Sequence, residues 1–376
     1  MMLIGQRITV VGAGIGGLAA AIALAKRGAQ VTVLERAPEI REVGAGLQIS
    51  PNGSAVLDAL GLGDALRASG VVNRALQLCD HRRGAPVLRM DLATYNAAGH
   101  PFVLIHRARL IELLAHGARE AGVEIRLGAE VHPSDSPLSE EMLRIGAEGL
   151  HSQMRATLNG PESAFFTGQA AWRAVIADDA PPESRVYMGP GRHLVTYPLG
   201  NGLRNIVAVE ERHAWVDEGW SHPDDPENLR RAFAGFSPEV RGWLDRVTET
   251  HIWGLFRHPV AHTWHSDSWA LLGDAAHPTL PFLAQGANMA LEDAWVLADC
   301  LNALPADEAL ALYQARRRPR VVRAIETANG NARNFHLRNP LIRTAAHTAL
   351  RIGGAVAPSA PLRRFDWLYG HDVTKG

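Results

Sequence analysis

Two clusters of residues in this sequence have the types and spacing for cofactor chemistry. The first is Gly12-Ala13-Gly14-Ile15-Gly16-Gly17, followed by Glu35 18 residues beyond Gly17. It sits between the β-branched run Ile8–Val11 and an Ala/Leu segment that ends at Gly28, and a second apolar run, Val31–Leu34, leads into Glu35. That order reads as a βαβ unit with G-x-G-x-x-G in its turn and an acid at the tip of the second strand. Gly12 would make the tight turn, Gly14 would let the backbone approach a pyrophosphate, and Gly17 would let helix and strand pack closely. The helix N-terminus would face the phosphates and Glu35 a ribose diol, so FAD or NAD fits, whereas the 2′-phosphate of NADP would be repelled. A glycine turn used only for packing is the competing reading, and the complete βαβ context argues against it. The second cluster is Gly273-Asp274-Ala275-Ala276-His277-Pro278, then Pro281 and Gln285-Gly286-Ala287-Asn288. It starts where the apolar run Trp269–Leu272 ends and opens a helix from about Ala287, with Leu291, Trp295 and Ala298 at helical spacing.

Other chemistries are disfavoured by residue type. Lys26 and Lys375 are the two lysines of the chain. Lys26 lies on the helix after the glycine loop and Lys375 on the terminal tail, so neither a Walker loop nor a pyridoxal Schiff base is served. Two cysteines, Cys79 and Cys300, cannot build a disulfide framework, a thiolate zinc site or an iron-sulfur cluster, which points to a reducing, cytoplasmic setting. His258, His262 and His265 invite a metal reading, but Pro259 would disturb the helix this spacing needs, so no metal is expected. The 38 basic and 39 acidic side chains give a net charge of -1, without the positive excess that nucleic acid requires. The uncharged run Ile8–Ala25 is broken by four glycines and cannot span a membrane, and Met1–Arg7 leads into it without a signal-peptide cleavage pattern.

The elements that must hold these clusters follow from periodicity. A length of 376 residues accommodates two domains or one domain with a large insertion. Ala108–Ala121 reads as an amphipathic helix and Val123–Leu127 as a short strand. From 159 to 265 prolines and aromatics become frequent, and alternating runs such as Leu194–Pro198 and Leu203–Val209 predict antiparallel strands. The α/β pattern resumes at Trp269, so the nucleotide-binding unit is split by a β-rich insertion. The basic stretch Arg316-Arg317-Arg318-Pro319-Arg320 and the segment around Arg343, His347 and Arg351 read as solvated faces or an interdomain seam.

Further segments join the two clusters in one order: Gly44-Ala45-Gly46-Leu47-Gln48-Ile49-Ser50-Pro51-Asn52, His106-Arg107-Ala108-Arg109-Leu110, Ala171-Trp172-Arg173, Gly191-Arg192-His193 continuing to Tyr197-Pro198-Leu199, and Asp366-Trp367-Leu368-Tyr369-Gly370. Together they resemble the class A, single-component FAD-dependent aromatic hydroxylases, most closely the branch of salicylate hydroxylase, 3-hydroxybenzoate 6-hydroxylase and 6-hydroxynicotinate 3-monooxygenase. The resemblance implies a p-hydroxybenzoate hydroxylase-like α/β fold. A Rossmann-like FAD-binding domain (1–75, 101–158 and 266–330) is split by a mainly antiparallel β substrate domain (76–100 and 159–265), with a C-terminal helical segment (331–376). It implies FAD as cofactor, NADH or NADPH as electron donor, and hydroxylation of a small aromatic acid by O2 through a flavin C4a-hydroperoxide, in a monomer or homodimer. Gly12, Gly14, Ile15, Gly17, Glu35, Arg36, Gly46, Gln48, Arg107, Val131, Asp274, Gly286, Ala287 and Asn288 would bind FAD. Asp274 would take the ribityl hydroxyls, with a helix cap as its alternative role, and the amides of Gly286, Ala287 and Asn288 would face the flavin N1/O2 edge. His193 would be the base that ionises the substrate, assisted by Gln285, with Tyr197 lining the pocket and Arg173 and Pro281 contacting substrate. A purely structural histidine is the alternative for His193.

One segment departs from the family pattern. Where the family has Gly-Ala-Asp-Gly, this chain has Gly146-Ala147-Glu148-Gly149, with Ser152 and Arg155 following. The stretch His132–Glu140 is also too short for the β-meander usual there. These departures bear on docking of NAD(P)H. They motivate an alternative in which the chain is a flavin-binding redox or ligand sensor; an epoxidase on the same scaffold is another.

Overall fold

The computed structural model describes residues 2–40, 46–135, 141–215 and 222–375. Its nucleotide-binding part is built on a parallel sheet whose order runs Trp269–Leu271, Glu141–Gly146, Arg7–Val11, Gln30–Glu35, Glu124–Leu127. Ile8, Val10, Val33, Leu143, Ile145, Ala270 and Leu271 are buried along these strands, as expected when helices cover both faces. The helix Ile15–Ala25 packs between the helices Arg107–Glu120 and Gly286–Ala303, and its small Ala and Gly residues allow that close approach. The predicted βαβ unit is thus present, and the strand that ends before Gly273 lies at one sheet edge. Between Leu127 and Glu141 the described residues contain no strand; 136–140 and 41–45, the latter including the first two residues of the Gly44–Asn52 motif, lie outside them.

A second sheet has eight strands in the order His222–Asp224, Thr250–Arg257, Phe165–Ala177, Leu203–Glu211, Arg192–Gly200, Glu183–Gly189, Ala75–Asp80, Pro86–Asp91. Neighbours are antiparallel except Glu183–Gly189 with Ala75–Asp80. The period of two decides what faces where. Trp172, Leu194 and Ala208 point to one side, into a core with Phe233 and Trp243. Arg173, His193, Val195, Tyr197, Val207 and Val209 point to the other, which is the wall of a cavity. A small sheet of Gly46–Ile49, Val103–His106 and Val71–Val72 bridges the two parts.

The basic stretch requires a correction. It lies within the helix Ala306–Phe335, and Arg316 is exposed, but the side chain of Arg317 is 1% exposed and that of Arg320 10%. Positions three apart share a helix face. Here that face meets Gly286–Ala303, so Arg317 pairs with Glu292 and Asp293, and Arg320 with Glu292. The later helix Pro340–Val356 covers the outer strand Pro86–Asp91 and buries His347, whose Nδ1 lies 3.7 Å from Asp80.

Candidate active site

A trough begins at the C-terminal ends of the parallel strands. Its outer part, about 430 Å³, is lined by Gly12, Gly14, Glu35, Arg36, Val131 and Glu148 among others. Its inner part, about 240 Å³, reaches the face of the large sheet. The two share Gly14, Arg107, Ala147, Gly149 and Asp274 and are therefore continuous. Gly12 has φ +107°, and a Cβ on it would lie 2.4 Å from the Ala147 carbonyl oxygen, so only glycine fits. A Cβ on Gly14 would meet nothing within 4 Å, which leaves that backbone open to a ligand. Glu35 does more than the sequence suggests. Its carboxylate accepts from the amides of Ala13 (2.7 Å) and Ala37 (2.9 Å), which locks the glycine loop while leaving acceptor capacity toward the trough.

Asp274 sits on the short 3₁₀ turn Gly273–Ala275. Burial raises its pKa, and nearby His277 and Arg107 oppose the rise. Arg107, at the start of its helix, faces Asp274 across the junction of the two parts. Gly286 and Ala287 open the 18-residue helix Gly286–Ala303 and line the inner cavity, so the positive end of the helix dipole lies at its wall. Asn288 behaves differently from its neighbours. It is fully buried, and its side chain accepts from the Ser50 amide (3.0 Å) and donates to the carbonyls of Gln48 (3.0 Å) and Ala284 (2.8 Å), stitching the 46–52 segment to the helix. Gln285 is likewise committed: its Nε2 donates to Ser50 Oγ (3.0 Å), and its Oε1 accepts from Asn52 (3.2 Å), which also donates to Glu292 (2.6 Å). It lines the inner cavity together with His193 without a bond to it.

The inner cavity has an apolar floor of Val195, Val207 and Val209, with Arg173, Tyr197 and His193 among the polar groups in its wall. Arg173 stacks on Trp253, guanidinium carbon 4.2 Å from the ring centroid. Tyr197 is 4% exposed, and burial raises its pKa well above the usual phenol range, so it stays protonated. Pro281 begins the turn Pro281–Leu283 on the opposite side, and Ile15, Gly17, Gly46 and Gln48 close the cavity from the nucleotide-binding side. His193 is 2% exposed, and its Nδ1 lies 2.6 Å from Nε2 of His336, whose Nδ1 is 3.1 Å from Glu211. Sequence reasoning missed His336 and Glu211, and no local spacing signals them: His336 follows the end of a helix 143 residues from its partner.

Glu148 and Arg155 also take roles the sequence does not show. The Glu148 carboxylate accepts from Ser152 Oγ and from the Gln153 amide (3.3 Å), so the longer acid folds back onto the turn before the helix Gln153–Asn159. Burial raises its pKa and those hydrogen bonds oppose the rise. Arg155 is buried and donates to the carbonyls of Ala275 (3.1 Å), Ala276 (2.9 Å) and Pro259 (2.5 Å), bracing the loop that carries Asp274.

A family model described as an FAD binding domain matches residues 6–137 and 142–328. The chain belongs to this FAD-binding family. It is 35% identical to a 3-amino-4-hydroxybenzoate 2-monooxygenase of Streptomyces platensis, over 98% of this chain and 96% of the relative. It is 34% identical to the 3-hydroxybenzoate 6-hydroxylase of Polaromonas naphthalenivorans (strain CJ2), over 97% and 96%. Among solved structures, HpxO of Klebsiella pneumoniae complexed with FAD and uric acid superposes with a TM-score of 0.81 at 26% identity, covering 93% of this chain and 94% of that one. The protein is an FAD-dependent monooxygenase, and the trough suits that cofactor. The Gly12 turn forbids a side chain, the Gly14 backbone is open, and acid, arginine and helix N-terminus succeed one another along one groove. No helix among the described residues is long and apolar enough to cross a membrane.

Proposed function

We propose that this family member takes electrons from NADH or NADPH and hydroxylates a small phenolic aromatic acid held in the inner cavity. The observation that carries the reading is His193, a buried imidazole in the cavity wall whose Nδ1 is engaged by His336, which leaves Nε2 to accept a proton. FAD would lie along Gly12, Gly14, Glu35, Arg36, Val131, Arg107 and Asp274 to reach Gly286 and Ala287, and when bound it supplies the redox chemistry with O2. Everything else falls to the chain. Arg173, fixed by its stacking on Trp253, holds the substrate carboxylate. His193 Nε2 takes the proton of the ring hydroxyl, which makes the ring electron-rich, and Tyr197 keeps its own proton and can donate to the substrate. Gln285 acts through position, since its amide is bound to Ser50 and Asn52. The inner cavity would hold the flavin ring as well as the substrate, so the remaining space beside Arg173, His193 and Tyr197 suits a single ring carrying a carboxylate and a hydroxyl. Hydroxybenzoates, aminohydroxybenzoates and hydroxynicotinates are therefore the substrate class. Residues 1–75, 101–158 and 266–330 serve the flavin and 76–100 and 159–265 the substrate, with 331–376 as a helical cover. The chain works as a monomer or homodimer in a reducing compartment such as the cytoplasm; its two cysteines are buried and unpaired.

The test is substrate-stimulated NAD(P)H oxidation across a panel of such acids, with product mass and hydrogen peroxide measured in the same reaction. His193→Asn is expected to keep FAD and still oxidise NAD(P)H, but to form less hydroxylated product and more peroxide. Unchanged coupling in a folded, flavin-loaded variant would remove His193 as the base, and no stimulation by any panel acid would remove the substrate class.

A further inference from the structure

We infer that His336 and Glu211 form a proton exit for His193, passing the substrate hydroxyl proton from the closed cavity to solvent; this rests on the reading of His193 as the base. The three groups lie in line. His193 is 2% exposed and His336 4%, whereas the Glu211 side chain is 29% exposed. His193 Nδ1 is 2.6 Å from His336 Nε2, and His336 Nδ1 is 3.1 Å from Glu211 Oε1. A carboxylate accepts only, so His336 carries its proton on Nδ1 and offers the lone pair of Nε2. That lone pair accepts Nδ1–H of His193 and fixes the tautomer whose Nε2 is a free acceptor. Gln169 Nε2 also approaches His336 Nδ1, at 3.4 Å, but a protonated Nδ1 cannot accept from it, and the shorter Glu211 contact decides.

The transfer balances without a co-reactant. The substrate O–H bond breaks and its proton bonds to His193 Nε2, while the bonding pair stays on the oxygen as phenolate. His193 Nδ1–H passes to His336 Nε2, His336 Nδ1–H passes to Glu211, and Glu211 releases it to water. Both imidazoles end as the opposite neutral tautomers and reset by ring reorientation or by proton return between turnovers.

The need for such an exit is physical. Burial, and then the neighbouring His336, hold the pKa of His193 well below the usual imidazole range, so a proton left there would be a buried cation beside the aromatic rings of Phe282 and Phe335. Moving the charge out removes that cost. Around His336 the charged groups are Glu211, Arg338 and Arg192; burial lowers its pKa and Glu211 opposes this. Burial raises the pKa of Glu211, but Arg338 and His336 outweigh it and bring it below the ordinary value, so Glu211 does not retain the proton.

The experiment uses the oxidised, FAD-loaded enzyme and the panel acid that most stimulates NAD(P)H oxidation. Stopped-flow absorbance follows phenol to phenolate, and an indicator dye follows proton release. The wild type is expected to release one proton as the ring ionises. His336→Gln can still accept from His193 but cannot pass a proton on, so ionisation should slow by roughly 10²-fold with FAD content and Kd unchanged. Glu211→Gln, at the surface, should slow it as well, and added imidazole should accelerate this variant but not the wild type. Wild-type rates in flavin-loaded Glu211→Gln and His336→Gln would overturn the relay while His193 stands. Absence of phenolate in the wild type would overturn the base assignment, and the relay with it.

Discussion

Replacing Arg317 by Met removes the more deeply buried of two arginines from an electrostatic cluster under the active-site helix. The Arg317 side chain is 1% exposed and those of Glu292 and Asp293 are 0% exposed, with Arg317 Nε donating to Asp293 at 2.7 Å. Glu292 keeps Arg320 and Asn52 in the variant, whereas among the described residues Asp293 keeps His277, at 2.5 Å, and the Gly273 amide, at 3.1 Å. Removing one partner of a buried pair costs about 3–5 kcal/mol, which at about 2 °C per kcal/mol for a chain of this size lowers Tm by roughly 6–10 °C. The adjacent Arg316→Met is the control, since Arg316 is half exposed and its nearest carboxylate is 3.8 Å away, and its effect should stay within about 0.5 kcal/mol. The pH dependence gives a second reading of the same cluster. Burial would raise the pKa of Asp293, but His277 and Arg317 together bring it from 3.8 down to about 2. A depressed carboxylate stabilises the fold fully above its unfolded pKa and loses that contribution as pH falls through its folded one. Without Arg317 the buried Asp293 carboxylate takes up its proton at a higher pH than in the wild type, so the Tm gap between wild type and Arg317→Met is full at neutral pH and narrows as pH falls from the variant's raised Asp293 pKa toward about 2. Calorimetry of both variants from pH 7 downward measures it, and equal losses for Arg316→Met and Arg317→Met would refute the cluster.

Gly12→Ala should fold poorly or lose FAD, because the added Cβ meets the Ala147 carbonyl at 2.4 Å in a positive-φ turn; retained flavin absorbance in purified protein would contradict this. Glu148→Asp should keep its flavin and its coupling but lose the bond from Ser152, costing about 0.5–2 kcal/mol as a lost helix-end contact does. Equal thermal stability would show that the carboxylate is not held there, and an altered rate of flavin reduction would restore its role in NAD(P)H docking. Arg173→Met should raise KM for an aromatic acid more than for the corresponding amide, by about tenfold or more for a charged hydrogen bond lost. Equal changes for acid and amide would place the carboxylate elsewhere.

What the sequence by itself determined is what depends on local backbone chemistry. The glycine loop, the acid at the second strand tip, the Gly273-Asp274 turn and the helix opening at Gly286 are recoverable because turn residues, β-branched runs and helix starts act over a few neighbours, and the structure brings them into one trough. The alternation around His193 and Tyr197 likewise set a strand with one face to a cavity. Tertiary structure decided the rest. Arg316 and Arg317 are indistinguishable in a run of arginines, and only the helix packed alongside determines which one is buried. Glu148 reads as a lengthened acid of the Gly-Ala-Asp-Gly motif that bears on NAD(P)H docking, and only the folded structure shows it bonded to Ser152. Asn52 meets Gln285 across 233 residues and His193 meets His336 across 143, and these contacts exist because sheet order and helix docking bring distant segments together. Such pairings carry no periodic trace in the chain, since they are fixed by the closure of the whole fold and not by the conformational preferences of the residues that make them.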